Sequence, residues 1–152
     1  TIVEAAVGDR DGEATFNLSE GKVPPGADVH TWTYSSSLKA PTGHLKEAPW
    51  VKFQRSLKVK VVRLDTFCRE NSIDRIDFIW ADVQGAEDLV IAGGQEALAR
   101  TRYFYTECYD RPMYEGQIDL SQITARLPGG PGAWEVMHRF PTAALLRNTR
   151  LG

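Results

Sequence analysis

A chain of 152 residues, 42% of them hydrophobic, is one domain's worth and long enough to bury a real core. A formal net charge of -2 gives no reason to expect nucleic acid or another polyanion as a partner. No apolar run approaches the roughly 20 residues that a spanning helix needs, and no signal peptide is visible, so the expectation is a cytoplasmic protein with no membrane partner.

Cys68 and Cys108 are too few for a disulfide framework and sit in unrelated contexts, so both are expected as reduced thiols. The Asn17-Leu18-Ser19 sequon has no secretory signal to go with it and reads as chance. The chain opens on Thr1-Ile2-Val3, without Met and as if already inside a strand, which reads as part of a longer protein.

Ile2 to Val7 reads as a strand, and the turn-rich Gly8-Asp9-Arg10-Asp11-Gly12 joins it to a second strand over Glu13 to Leu18. The expected arrangement is a hairpin. Ser19 to Pro49 is rich in Gly, Pro, Ser and Thr, punctuated by Pro24-Pro25-Gly26 and Pro41-Thr42-Gly43, with Trp32, Tyr34 and Leu38 as anchors. A connection of that length fits equally a lid over a site or a structural excursion. Ser56 to Leu64 sets Leu57, Val59 and Val61 against Lys58, Lys60 and Arg63, a strand with one wet face. Lys52, Arg55, Lys58 and Lys60, near Trp50 and Phe53, read as that solvated face rather than as a nucleic-acid surface. Asp65 is expected to cap a short helix from Thr66 to Asn71, with Phe67 and Cys68 facing inward.

The stretch from Ile76 to Gly94 organises the rest. Ile76 to Ala81 is short, mostly apolar and rich in strand formers, which suits a strand buried on both faces. Asp82 closes it, Val83-Gln84-Gly85 makes the turn, and Ala86, Leu89, Val90 and Gly93 then recur on one helical face. Glu87 and Asp88 fall in the first turn of that helix, where its dipole favours acids. Gly93-Gly94 interrupts the helix, Gln95 to Arg100 resumes it, and a strand follows from Arg102 to Cys108. Beyond the loop Asp110 to Gln117, Asp119 to Leu127 is amphipathic, with Leu120, Ile123 and Leu127 on one face. Pro128-Gly129-Gly130-Pro131-Gly132 follows a helix rather than a strand, so it is a turn and not a phosphate-binding loop. Trp134 to Phe140 and Ala143 to Arg147 close the chain as an antiparallel hairpin.

Two parallel strands joined by a helix should lie beside or near each other, and in open α/β sheets ligands bind at the C-terminal edge of the strands. Each of the two strands ends in an acid, Asp82 on the first and Glu107 on the second. Neighbouring strands are about 4.8 Å apart, so the carboxylates can share one site. Paired acids there can bind a divalent metal, take a proton from a hydroxyl, or hold the hydroxyls of a sugar-like ligand. Asp82 reads equally well as the cap of the following helix, and Glu107 as the partner of an arginine such as Arg111. Tyr109 and Tyr114 flank the same edge, as pocket walls or as packing. His30, His44 and His138 are scattered without ligand spacing, which argues against zinc. No Ser-His-Asp or Cys-His constellation stands out.

These motifs, in this order, resemble the FkbM-type methyltransferases. The resemblance rests on Ala5-Ala6-Val7-Gly8-Asp9 with Asp11-Gly12, on Leu64-Asp65, on Ile76-Asp77 through Asp82-Val83-Gln84-Gly85-Ala86-Glu87, on Glu107, and on Tyr114-Glu115-Gly116-Gln117. Two positions depart from the family pattern: Trp80 stands where Lys is frequent, and Gln84 where Glu is usual. The resemblance implies an α/β, Rossmann-like methyltransferase sheet in partial form, strands three to seven of the usual seven, with a C-terminal antiparallel hairpin. Residues 1–152 would be a single domain lacking the N-terminal strands and the glycine-rich turn for the cofactor.

The implied activity is transfer of a methyl group from S-adenosylmethionine to a hydroxyl of a sugar, glycan or related small molecule. Asp82 is assigned as the proton acceptor, Glu107 and Tyr114 as groups placing the acceptor, and Ala6 and Val7, with Asp82, as the cofactor side. No metal is assigned. Without the missing strands this chain is expected to bind S-adenosylmethionine weakly or not at all, and the exposed edge of Ile76 to Ala81 is expected to pair with a second copy, to take the Ile2 to Val7 strand across the gap, or to aggregate. The competing readings are a non-catalytic remnant or assembly domain, and a receiver-like domain with Asp82 as phosphate acceptor.

Overall fold

The computed structural model describes residues 1–21 and 32–151; the turn signal Pro24-Pro25-Gly26 and His30 lie outside the described residues. The alternating residues early in the chain build a three-stranded sheet of order β1-β3-β2, from β1 (Ala6–Val7), β2 (Gly12–Gly21) and β3 (Val51–Val62). β2 and β3 run antiparallel from Gly12 opposite Val61 to Gly21 opposite Val51, with an irregularity between Leu18 and Glu20. β1 lies on the other side of β3, parallel to it, with Ala6 opposite Val61. The expected hairpin of the first two strands therefore does not form. The Gly8 to Gly12 turn crosses the end of β3, where the Gly8 N–H donates to the Val62 carbonyl, and each strand takes one edge of β3. The first strand is also shorter than expected. Ile2 is 94% exposed, and Ile2 to Ala5 have no ladder partner to hold them extended.

α1 (His44–Glu47) ends the long connection, and α2 (Leu64–Glu70) follows β3. Asp65 is not the cap of α2. The helix starts at Leu64, two residues before the expected Thr66, Arg63 is the flanking residue, and no side chain caps it. The Asp65 carboxylate is buried and accepts the Ala97 N–H at 2.8 Å. That N–H belongs to the first turn of α4 (Gln95–Ala99), whose amides lack helical partners, so Asp65 caps a neighbouring helix from outside.

The second sheet has four strands in the order β4-β5-β7-β6: β4 (Ile76–Ala81), β5 (Thr101–Glu107), β6 (Trp134–Arg139) and β7 (Ala143–Asn148). β4 and β5 are parallel, and β7 runs antiparallel to both β5 and β6. The architecture is mixed α/β with two mixed sheets. α3 (Glu87–Gly93), α4 and α5 (Leu120–Arg126) supply Ile91, Leu98 and Ile123 to a core shared with Phe104, Ala144 and Leu146 of the sheet. α5 carries a capping box, in which Asp119 accepts the Gln122 N–H while the Gln122 side chain accepts the Asp119 N–H.

β4 has the expected span but is not buried on both faces. Ile79 and Ala81 join the core, while Phe78 is 51% and Trp80 70% exposed. β4 is the end strand of its sheet, and its period of two sends those rings to the face away from the core helices.

α3 sits close to β1 because Gly93 has no side chain. A Cβ built there would lie 1.9 Å from the Gly8 carbonyl oxygen, which is backbone and cannot rotate away. Gly93→Ala should push α3 off β1 and lower unfolding stability by about 1–3 kcal/mol, read from the midpoint of a urea titration. An unchanged midpoint would mean that this contact does not hold the two sheets together.

Candidate functional site

The register of the parallel pair creates the site. Ala81 lies opposite Thr106, so the next residue on each strand, Asp82 and Glu107, stands beside the other at the C-terminal ends of β4 and β5. Asp82 does not cap α3; Ala86 flanks that helix and no side chain caps it. Nor does Glu107 meet Arg111, which pairs at 3.8 Å with Glu47 instead. Both carboxylates converge on one amide. Gln84 Nε2 donates to Asp82 Oδ1 at 2.5 Å and to Glu107 Oε2 at 2.8 Å, while the Tyr109 hydroxyl donates to Glu107 Oε1 at 3.2 Å.

The turn that carries Gln84 is tightly specified. Gln84 has φ 51° and Gly85 φ 87°, two successive left-handed residues. At Gly85 a Cβ would lie 2.7 Å from the Tyr114 side chain, so only glycine fits. Tyr114 is itself buried, and its hydroxyl donates to the Ser35 carbonyl at 2.8 Å while standing 3.1 Å from Gln84 Oε1. Ser37 Oγ donates to the Gln84 carbonyl at 2.7 Å. Ser35 Oγ accepts Trp32 Nε1–H and lies 2.8 Å from the buried His44 Nε2. The described part of the long connection is thus wall, hydrogen-bonded onto the strand ends.

Two cavities meet at Asp82. The larger, about 600 Å³, is lined by Ala5, Ala6, Val7, Phe16, Leu38 and Asp82 among others. The smaller, about 390 Å³, is lined by aromatic rings of Trp32, Tyr34, Tyr109 and Tyr114 together with Asp82 and Glu107. All five residues singled out from the sequence fall in these walls: Ala6 and Val7 in the first, Glu107 and Tyr114 in the second, Asp82 in both. Ser35 and His44, the latter weighed above only as a zinc ligand, reach the site through the path of the long connection, and Met113 through the loop after β5. Gln84 was marked as a departure but given no role; its place two residues after Asp82, ahead of a glycine turn, was the available signal. Among the described residues no group of three or more His, Cys, Asp or Glu side chains could hold a metal ion.

Burial sets the electrostatics. It pushes the Glu107 carboxyl up to about 7, with the neighbouring Asp82 charge adding to the shift. The Tyr109 and Tyr114 phenols are raised for the same first reason, so both remain hydrogen-bond donors. Burial lowers His44, which keeps the imidazole neutral. Glu87, at the start of α3, is fully buried; one carboxyl oxygen accepts the Gly85 N–H at 3.3 Å and the other has no partner. Its carboxyl is pushed up to about 7, again chiefly by burial.

Comparison with known proteins settles the family. The Methyltransferase FkbM domain matches residues 1–138. The chain belongs to the FkbM methyltransferase family. A curated relative, the 2-O-methyltransferase NoeI of Sinorhizobium fredii, is 42% identical over 154 residues, covering 99% of this chain. The chain spans 60% of the length of that relative. No solved structure matches this FkbM chain.

Glu87 gives a test of the site's electrostatics that needs no ligand. Its carboxyl binds a proton more tightly folded than unfolded, so between pH 4.5 and about 7 the folded state holds the extra proton and stability falls as pH rises. Above that window the loss is complete. Glu87→Gln, neutral at every pH, should be near neutral at pH 5 and stabilising by about 3 kcal/mol at pH 8. Denaturant midpoints across pH read the difference, and parallel pH profiles for the two proteins would contradict the assignment.

Proposed function

We propose that the site performs methyl transfer to a hydroxyl, with the larger cavity receiving S-adenosylmethionine and the smaller one the acceptor. The observation that carries this reading is that Asp82 belongs to the walls of both cavities, so a group bound in one faces a group bound in the other across a single carboxylate. The larger cavity suits the cofactor. Its volume falls within the usual range for such ligands, Ala6, Val7, Phe16 and Leu38 offer apolar surface for a flat base, and Asp82 is an acid against a cationic group. S-adenosylmethionine, when bound, supplies a methyl group on a positively charged sulfur.

The chain's residues then do the rest. The aromatic walls of the smaller cavity give a ring-shaped acceptor flat apolar faces and exclude water from it. Asp82 accepts the hydroxyl proton as the oxygen is methylated, and Glu107 holds the same hydroxyl from the neighbouring strand. Tyr114 shapes the pocket by fixing the Ser35 segment and the Gln84 turn. The naming of the relative as a 2-O-methyltransferase supports a sugar-type acceptor.

In the same reading residues 1–152 are one domain, and the order β4-β5-β7-β6 is the right-hand half of a Rossmann-like methyltransferase sheet ending in an antiparallel hairpin. Among the described residues nothing pairs with the outer edge of β4, where Phe78 and Trp80 are exposed, and we read that edge as the seam for a second copy. Light scattering should then return a dimer that Trp80→Asp weakens; a monomer at micromolar concentration would remove the seam from the proposal.

The central test is Asp82→Asn in the whole protein, assayed by release of S-adenosylhomocysteine with a panel of hydroxyl-bearing oligosaccharides. A base acts mainly in the transition state, so turnover should fall by about 10²–10⁴-fold while cofactor affinity changes little. Unchanged turnover would remove Asp82 from its role.

A further inference from the structure

Gln84 occupies a position that ordinary backbone preference disfavours. It is one of only two non-glycine residues with positive φ among the described residues, at 51°. A left-handed conformation costs a residue with a Cβ about 1–2 kcal/mol, and such strain persists where the surroundings impose it. Here the surroundings are on both sides. Behind the turn, Ser37 Oγ holds the Gln84 carbonyl, and Gly85 lies flush against Tyr114. In front, the side chain reaches between two acids that would otherwise repel each other.

The amide can sit only one way round. Nε2 carries two hydrogens and meets two carboxylate oxygens, at 2.5 and 2.8 Å. The reversed amide would set an oxygen against both acids. With Nε2 so placed, Oε1 faces the Tyr114 phenol. Each donor thus has a partner, and among the described residues no other side chain donates to both acids.

We propose that Gln84 is the positioning residue of this site, its amide held out from a left-handed backbone to bridge Asp82 and Glu107 and fix their shared orientation toward one acceptor hydroxyl. The inference rests on the reading of that carboxylate pair as the acceptor site. In this chain the amide stands where the family pattern has Glu, and it alone brings two N–H donors to the pair: a carboxylate of the same length has none, and an asparagine falls short.

The strain makes the proposal testable, because the variants that best suit the backbone are those that lose the bridge. Glycine and asparagine both accept a left-handed φ more readily than glutamine. Gln84→Gly and Gln84→Asn should therefore leave the melting temperature unchanged or raised. In the same variants the carboxyl of Glu107 should titrate at higher pH, by about one unit, because a carboxylate that loses an N–H donor binds its proton more tightly. Gln84→Glu should move it further in the same direction.

The readout is NMR of the full chain with glutamate carboxyl carbons labelled, the Glu107 signal being assigned through Glu107→Gln. The groups facing Glu107 stay in place throughout: Asp82 from β4, Glu87 from α3, Cys108, Tyr109 and Tyr114 after β5, and His44 across the cavity. A moved midpoint with undiminished thermal stability is the expected result. An unmoved midpoint in Gln84→Gly and Gln84→Asn overturns the bridge, as does a midpoint that moves in Gln84→Glu alone. The titration needs no cofactor or acceptor, so its failure stays separate from a failure of Asp82→Asn to reduce turnover.

Discussion

Two carboxylates held side by side at the ends of parallel strands repel each other, and burial of one of them sharpens the conflict. Asp82 and Glu107 stand in that relation because β4 and β5 pair in register, and the surrounding structure can be understood as the means of tolerating it. Asp82 keeps contact with solvent. Glu107 takes the Tyr109 hydroxyl and shares the Gln84 amide, and its proton affinity rises toward neutrality. The glycine at 85, the ring of Tyr114 beneath it and the serines of the long connection all serve to set that amide where it is needed.

The same arrangement explains why two cavities of different character adjoin. On one side, the strands of the smaller sheet and the segment around Leu38 make a mostly apolar wall that also carries Lys58 and Lys60; on the other, the connection and the loop after β5 bring rings together. Membership of the FkbM family gives those surfaces a chemical context, and the division of labour proposed for them rests on the geometry. Asp82 marks the boundary.

Much of this was legible in the residues. The span of β4, the helical face of Ala86 and Val90, the apolar face of α5 and the adjacency of Asp82 and Glu107 follow from local periodicity and from one rule about parallel strands. What was not legible depends on distant partners. Asp65 looks like a local cap until α4 offers a buried amide 32 residues away. Ile2 to Val7 opens and closes on β-branched residues, yet only Ala6 and Val7 find an edge to join. The apolar run of β4 suggested two covered faces, whereas helices cover one. His44 and Ser35 carry no sequence signal at all, since their place beside Tyr114 is decided by how a long connection crosses the strand ends.

The one-sided covering of the four-stranded sheet also equips the chain with optical reporters at opposite extremes. Trp134 is 5% exposed, with its indole nitrogen tied to the Pro128 carbonyl, whereas Trp80 is 70% exposed and meets Tyr105 edge to face. Burial should shield the emission of the first, and exposure should leave the emission of the second red-shifted and open to a dissolved quencher. A molecule that spreads over the bare face of the sheet would silence the quencher at Trp80 and leave Trp134 as it was, so with Trp32 and Trp50 replaced by Phe the remaining fluorescence distinguishes coverage of the surface from loosening of the interior.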